Sequence, residues 1–218
     1  MTSIRRGFFL SIDGPSGVGK STTLKELHAL LDRRGTPARL TTEPPHDFLG
    51  DFTRSHAGQL HSLSLACLVA AARYRHIETT VEPALAAGDL LISDRYVPSS
   101  LVLQQLDGVH LDFLLDLNRL APAPDLAVLL TASPGTIAER IAASGVTHRF
   151  RGDPTGPSRE VELYQETAAV LAESGTQVLV IDTSDLTPSE VARQIADAVP
   201  ALPLPSKSSS STPITQES

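Results

Sequence analysis

The amino-acid sequence predicts an α/β fold, because strand-like and helix-like segments alternate along the chain. Strand-like segments occur at residues 7–12, 38–42, 90–93, 126–130 and 178–181. Most of them are continuously apolar, and helix-length stretches such as residues 59–87 separate them. Apolar strands connected by helices are typical of a parallel sheet that is covered on both faces. We therefore expect a five-stranded parallel sheet with helices on both faces, in three layers.

Length and composition predict one domain over residues 1–199. The chain has 218 residues, of which 41% are hydrophobic, enough to bury one sizeable core. The last stretch, PALPLPSKSSSSTPITQES, has no periodic apolar face. Residues 200–218 are therefore predicted to be a disordered tail rich in Pro and Ser. Residues 145–158 are rich in Gly, Pro, Arg and Asp, and we expect a mobile loop there.

Charge and hydropathy restrict the partners and the location that we expect. The formal net charge of -7 lacks the basic surface that nucleic acid or an anionic membrane needs, so neither is expected as a partner. No apolar run reaches the roughly 18 residues that span a bilayer, and no signal-peptide pattern opens the chain. The single cysteine, Cys67, lies in an apolar stretch and is predicted to be buried. We expect a cytoplasmic protein.

A glycine-rich segment between a predicted strand and a predicted helix indicates phosphate binding. Residues 14–21 read GPSGVGKS and match the pattern GxxxxGK[ST]. In such a loop, backbone N–H groups and the positive end of the following helix point at the anion. Lys20 is predicted to reach the β- and γ-phosphates of ATP, and the Ser21 hydroxyl to ligate Mg²⁺. The predicted nucleotide-binding residues are Gly14, Ser16, Gly17, Val18, Gly19, Lys20, Ser21 and Thr22. The alternative is a glycine-rich turn that binds nothing.

Asp94 and Arg95 follow the apolar strand LLIS. They stand at the carboxyl edge of the predicted sheet, where open α/β folds bind their ligands. Asp94 is predicted to reach the metal or its waters, and Arg95 to direct a positive charge at a phosphate. The alternative for Asp94 is that it only caps the next helix. Because the histidines show no shared ligand spacing, Mg²⁺ delivered with ATP is the only metal expected.

Several segments of the chain match a family pattern in combination. They are FFLSIDGPSGVGKST at 8–22, TTEPP at 41–45, LVAAARYRHIE at 68–78 and DRYVPSSLVLQQ at 94–105. Together they resemble the thymidylate kinase family, and the likeness extends over about residues 7–198. It implies a P-loop kinase fold in which residues 145–158 are a short lid loop. It also implies transfer of the γ-phosphoryl group of ATP to the 5′-phosphate of thymidylate.

The resemblance assigns an acceptor site and an oligomeric state. Its acceptor residues are Glu43, Pro44, Val69, Arg73, Arg95, Ser99, Ser100 and Gln104. Arg73 and Arg95 would clamp the phosphate of the acceptor, and the serines and the glutamine would face its base. On sequence alone, Arg73 is as well explained as a solvated helix charge. A homodimer is implied as well, and residues 63–72 and 101–117 are apolar enough to form its interface.

The predicted lid carries three arginines, Arg149, Arg151 and Arg159. No basic residue occupies the variable positions of the phosphate loop, so charge that develops on the transferred group needs a partner from elsewhere. We expect one of these arginines to act as a cis arginine finger, with Arg149 and Arg151 as catalytic candidates. The alternative is an ordinary solvated surface.

The chain departs from the family pattern on the acceptor side. Ser16 stands where the family carries an acidic residue that contacts the sugar, and Val69 stands where a phenylalanine stacks on thymine. We expect a kinase that acts on a nucleoside monophosphate, and the resemblance implies thymidylate. Because of these two departures, we expect thymidylate to be a poor acceptor. One alternative is a kinase for a modified nucleotide, a nucleoside or another small acceptor. Another is a regulatory P-loop ATPase or switch that has no small acceptor.

Overall fold

The computed structural model describes residues 6–144 and 156–200, and its centre is a parallel sheet. The strands are β1 (Phe8–Asp13), β2 (Ala38–Thr42), β3 (Leu90–Asp94), β4 (Leu126–Thr131) and β5 (Val178–Asp182). They pair in the order β2-β3-β1-β4-β5, and every pair is parallel. All five predicted strands are confirmed, with ends within one residue of the prediction.

Helices connect the strands. They are α1 (Lys20–Arg33), α2 (Phe48–His56), α3 (Ser62–His76), α4 (Glu82–Ala87), α5 (Val97–Leu106), α6 (Leu111–Asn118), α7 (Pro134–Ser144), α8 (Gly156–Glu173) and α9 (Pro188–Ala198). A π-helical turn at Ile77–Val81 joins α3 to α4, so the predicted long helix is continuous from residue 62 to residue 87. Because α8 already begins at Gly156, the prediction of a loop is wrong for residues 156–158. The rest of that loop and residues 201–218 lie outside the described residues.

Alternate residues of the central strands face opposite sides of the sheet. Leu10, Ile12, Ile92, Val128 and Leu130 pack in one buried cluster with residues of α1, α7 and α9. Their neighbours in the chain pack on the other face, against the helical stretch 77–85 and against α5 and α8. Helices therefore cover both faces, and the three-layer α/β architecture is confirmed.

The predicted site falls at the carboxyl edge of this sheet. In the register of the sheet, Asp94 at the end of β3 lies beside Ile12 of β1 and Thr42 of β2. β1 occupies the middle of the sheet, between β3 and β4, and the phosphate loop follows it directly. Segments that leave three neighbouring strands thus meet at one place.

Two predictions on location can be compared with the structure. The prediction that Cys67 is buried is wrong, because its side chain is exposed. Leu65, Ala66 and Ala70 form the buried side of α3, and Cys67 lies on another side of that helix. Across the residues that the structure describes, no helix is long and apolar enough to cross a membrane.

Candidate active site

Backbone conformations that favour glycine shape the phosphate loop. Gly14 has φ 149°, and a Cβ placed there would lie 2.4 Å from the carbonyl oxygen of Leu130. Gly19 has φ 102° and is the N-cap residue of α1, without a side-chain cap. A larger residue at either position would strain the backbone. The first N–H groups of α1 are therefore left for a ligand, as the motif predicts.

Contacts of Val18 fix the tip of the phosphate loop to the rest of the protein. The Val18 side chain is 1% exposed and belongs to the core. Its carbonyl oxygen accepts hydrogen bonds from Arg140 at 3.3 Å and from the Thr183 hydroxyl at 3.1 Å. Val18 thus anchors the loop, while Ser21 and Thr22 are exposed in the first turn of α1.

Lys20 is buried and turned back onto its own loop. Its Nζ donates to the carbonyl oxygens of Gly14 at 2.7 Å and of Pro15 at 2.8 Å. Burial lowers the pKa of Lys20 to about 7, and the positive charge of Arg95 adds to this effect. A phosphate bound in the loop would offset both causes, because it supplies a negative charge next to the ammonium group. The local electrostatics therefore fit an anionic ligand.

Asp94 and Arg95 are held firmly by the strands beside them. The Asp94 carbonyl oxygen accepts from the Glu43 amide at 3.0 Å and from the Thr42 hydroxyl at 3.2 Å. Arg95 has φ 73°, unusual for a residue other than glycine, and its amide donates to the Ile12 carbonyl oxygen at 2.9 Å. Such strain persists only where the surroundings fix it, and it is concentrated at functional sites.

The Asp94 side chain does not cap the following helix. The N-cap residue of α5 is Tyr96, and no side chain of that residue caps the helix. Asp94 Oδ1 is buried and has no hydrogen-bond partner within residues 6–144 and 156–200. The capping alternative is therefore wrong, and an acceptor oxygen is left for a ligand, as a metal ion or its waters would require.

Asp13 plays a part that the sequence analysis missed. Its Oδ1 accepts from the Tyr96 amide at 2.9 Å, the Ser99 amide at 3.0 Å and the Ser99 hydroxyl at 2.6 Å. It thereby fixes the start of α5 from the end of β1. Burial raises the pKa of Asp13, against the hydrogen bonds from Ser99 and Tyr96 that lower it. Its place at the end of a buried strand, directly before the phosphate loop, was the available signal.

A cavity of about 250 Å³ opens at the carboxyl edge of the sheet, where Glu43 and Arg95 line it. All eight residues predicted for the acceptor site line it: Glu43, Pro44, Val69, Arg73, Arg95, Ser99, Ser100 and Gln104. The Gln104 Oε1 is buried without a hydrogen-bond partner within the described chain. Arg95 also lies close enough to Lys20 to affect its pKa. Ser99, which also lines the cavity, donates to Asp13 directly before the phosphate loop, so the cavity and the loop lie close together.

Arg73 is the centre of a buried polar network. Its Nε donates to Glu43 Oε2 at 2.7 Å, Nη1 donates to Asn118 Oδ1, and Nη2 donates to the Ser100 hydroxyl at 2.6 Å. Its guanidinium carbon lies 5.5 Å from the centroid of the Tyr96 ring. The Arg73 side chain is only 2% exposed, so the interpretation as a solvated helix charge is wrong.

Two members of this network, His76 and Asn118, were not predicted from the sequence. Glu43 Oε1 lies 3.2 Å from His76 Nδ1, and His76 Nε2 lies 2.6 Å from the Thr41 hydroxyl. Asn118, at the end of α6, accepts from Arg73 and donates from its own amide to the Leu114 carbonyl oxygen at 2.8 Å. The Glu43–Pro44 peptide bond at the pocket wall is cis.

The lid candidates are described only in part. Arg149 and Arg151 lie outside the described residues. Arg159 is half exposed on α8, where its Nη1 pairs with Glu162 and with Glu166, each at 3.1 Å. The finger role therefore stays a prediction for all three.

Comparison with known proteins agrees with the geometry. The family model for thymidylate kinase matches residues 12–195. Thymidylate kinase from Xanthomonas oryzae pv. oryzae is 39% identical over 64% of this chain and 62% of its own length, and that from Xanthomonas campestris pv. campestris is 38% identical over the same shares. A probable thymidylate kinase from Caldivirga maquilingensis is 32% identical over 65% of this chain and 71% of its own length. The chain thus spans 62% of the Xanthomonas relatives that it matches. The family model covers most of the chain, including the five-stranded parallel sheet and the intact phosphate loop, so the chain belongs to the thymidylate kinase family.

Proposed function

We propose that this protein is an ATP-dependent kinase that transfers the γ-phosphoryl group to a nucleoside monophosphate. The observation that carries the proposal is the position of Arg95, which lines the 250 Å³ cavity and also acts on the pKa of Lys20. One cation thus lines the pocket and lies near the lysine of the phosphate loop, a position that suits transfer between two bound phosphates. The matched relatives bear the name thymidylate kinase, which supports the same class of reaction.

The donor would bind at the phosphate loop. Lys20 and the first N–H groups of α1 would contact its phosphates, because they are the positive groups that the loop presents. Ser21 and the unpartnered Oδ1 of Asp94 fit Mg²⁺, which prefers oxygen ligands and takes the others from phosphates and water. Within the described residues, no group of three or more His, Cys, Asp and Glu could hold a metal by itself. When bound, Mg-ATP supplies the transferable phosphoryl group and neutralises part of its charge.

The acceptor would bind in the cavity, with its phosphate toward Arg95. Arg73 lies in the buried network of that cavity, where Glu43, Asn118 and Ser100 already hold three of its nitrogens. We infer that Arg73 chiefly orders the pocket wall. Ser100 and the buried Gln104 Oε1 are the polar groups best placed to select a base.

An acceptor screen tests this function. ADP formation is measured with Mg-ATP and one acceptor at a time, from a panel of nucleoside monophosphates, modified nucleotides and nucleosides. A kinase releases ADP fast only when its acceptor is present. Slow hydrolysis that no compound accelerates would contradict the proposal and favour the regulatory ATPase.

A homodimer remains part of the proposal. Leu63 on α3 and Phe113 and Leu115 on α6 are exposed apolar side chains, and α3 and α6 contact each other. Burial of such side chains stabilises association. Analytical ultracentrifugation should give twice the mass of the chain, and a monomer at micromolar concentration would contradict this part.

A further inference from the structure

Glu160 is a buried carboxylate with an unusual lack of partners. It lies in the first half of α8 and is 1% exposed. Neither of its carboxylate oxygens has a hydrogen-bond donor within the part of the chain that the structure describes. Buried polar groups in folded proteins are nearly always paired, and a buried charge without compensation is costly. An orphan of this kind is explained by a ligand or by nearby opposite charge.

The charges that face Glu160 belong to the donor side of the site. Burial raises the pKa of Glu160, while the positive charges of Lys20 and Arg95 and the amide N–H of Ser16 lower it. The Ser16 amide acts on the carboxylate from beyond hydrogen-bond geometry. The same carboxylate in turn raises the pKa of Lys20. Glu160 thus faces the two cations that the proposed mechanism assigns to phosphates.

The packing of α8 supports this position of Glu160. One turn beyond Glu160, the Tyr164 hydroxyl lies 3.2 Å from the Ser99 hydroxyl, which is bonded to Asp13. Tyr164 is itself 2% exposed. On the outer side of the same helix, Arg159 pairs with solvent-exposed Glu162 and Glu166. The inner side of α8 therefore places the Glu160 carboxylate near the phosphate loop.

We propose that Glu160 is a positioning residue whose carboxylate is the internal counter-ion of Lys20 and Arg95 and competes with the phosphates of a bound nucleotide. Without nucleotide, the carboxylate balances two cations that are withdrawn from water. When phosphates bind, they take over Lys20 and Arg95, and Glu160 is left as a like charge close to them. Glu160 therefore weakens nucleotide binding and favours release of the product ADP. This inference rests on the proposed donor site.

The competing explanation is that Glu160 helps to bind the metal ion or a hydroxyl group of a substrate. The two explanations predict opposite signs for the removal of the charge. A counter-ion repels phosphate, so its neutralisation strengthens nucleotide binding. A ligand of metal or hydroxyl attracts, so its neutralisation weakens binding.

The test is the affinity for ADP of the Glu160→Gln variant, by calorimetry, with EDTA and again with Mg²⁺. Slightly acidic buffer keeps Lys20 protonated. We expect binding at least about tenfold tighter than in the wild type under both conditions. The KM for ATP should fall by a similar factor. Glu173→Gln, an exposed glutamate at the end of the same helix, is the matched control and should leave both values unchanged.

Three results would overturn the inference. They are an unchanged ADP affinity, a weaker affinity in both conditions, and a weaker affinity that appears only with Mg²⁺. A role in packing alone would lower the melting temperature and leave ADP affinity unmoved, which the first result detects. Failure of the wild type to bind ADP at all would instead overturn the donor site, and the inference with it.

Discussion

The donor half and the acceptor half of the site differ in how their polar groups are satisfied. Around the phosphate loop, one oxygen of Asp13, one of Asp94 and both of Glu160 are buried without hydrogen-bond partners in the described chain. In the acceptor pocket, Arg73 and Glu43 are fully engaged with protein groups. The donor half is thus arranged for a charged ligand, whereas the charged groups in the wall of the acceptor half already pair with the protein.

This difference separates two kinds of mutational effect. On the donor side, the loss of one cation chiefly removes an interaction with a ligand, because a second cation remains near Glu160. On the acceptor side, the loss of one partner leaves another charge buried, so the cost falls on stability as well. Substitutions on the two sides should therefore be distinguishable by comparing turnover with the melting temperature.

The largest effect is expected for Lys20→Ala. Phosphoryl transfer should fall by at least about 10³, because the lysine neutralises charge in a site withdrawn from water. The chain should stay folded, because burial already lowers the pKa of Lys20 to about 7 and Arg95 remains near Glu160 when Lys20 is lost. Steady-state ADP formation and thermal unfolding measure the two quantities. Lys25→Ala, at an exposed lysine of α1, is the matched control. Near-normal turnover of Lys20→Ala would remove the basis of the donor site.

The lid arginines test whether the donor half extends beyond the described residues. Arg149, Arg151 and Arg159 are replaced by Ala one at a time. In at least one of these variants kcat should fall by a factor on the order of 10³, the scale of a cis arginine finger. Arg193→Ala, an exposed arginine of α9, serves as the control. Normal turnover in all three variants would place the finger elsewhere.

Arg73→Ala is expected to affect stability and acceptor binding together. Its loss leaves Glu43 buried beside His76, so the free energy of unfolding should fall by about 3–5 kcal/mol. The KM for the acceptor should rise while the KM for ATP changes little. Denaturant unfolding and steady-state kinetics give these values, with Arg75→Ala, half exposed on the same helix, as the control. An unchanged free energy of unfolding would show that buried Glu43 does not need Arg73 to compensate its charge.

The fold and the donor half were predictable because their signals are local in sequence. The strands β1, β3, β4 and β5 are short apolar runs, so they could be placed within one residue. The phosphate loop is likewise defined by eight consecutive residues. Its geometry, with positive φ at Gly14 and Gly19, follows from the glycines themselves.

The acceptor half was predictable as a set of residues, but not as a network. Family resemblance selected eight residues, and all of them line one cavity. Asn118 and His76 could not be found in this way, because their contacts join positions 45 and 33 residues apart and depend on how α6 and β2 pack against α3. Asp13 and Glu160 escaped for a related reason. The role of Asp13 depends on the donors of α5 that the fold brings to it, and that of Glu160 on the charged groups near it.

The smallest mutational effect, about tenfold in kcat/KM, is expected at Val69, where the pocket would contact the base. Val69 lines the cavity without an aromatic ring, and Ser16 presents no carboxylate. Base stacking on an aromatic side chain is worth about 1–3 kcal/mol, and a charge-assisted hydrogen bond about 1.5–3 kcal/mol. Thymidylate should therefore be used about two to four decades less well than the acceptor that this pocket fits best.

Val69→Phe should raise kcat/KM for thymidylate by about tenfold, because it restores only the stacking part of that loss. Val180→Phe, at an exposed valine of β5, adds the same ring away from the cavity and should leave kcat/KM unchanged. The melting temperature of each variant shows whether the larger side chain strains the fold. If the wild type already turns over thymidylate at about 10⁵ M⁻¹s⁻¹ or above, the departures are tolerated variation, and stacking must come from another ring. If Val69→Phe gains nothing while thymidylate stays poor, the base does not lie against α3. The selection of the acceptor would then rest on the polar groups of α5, Ser100 and Gln104, which approach the cavity from its other wall.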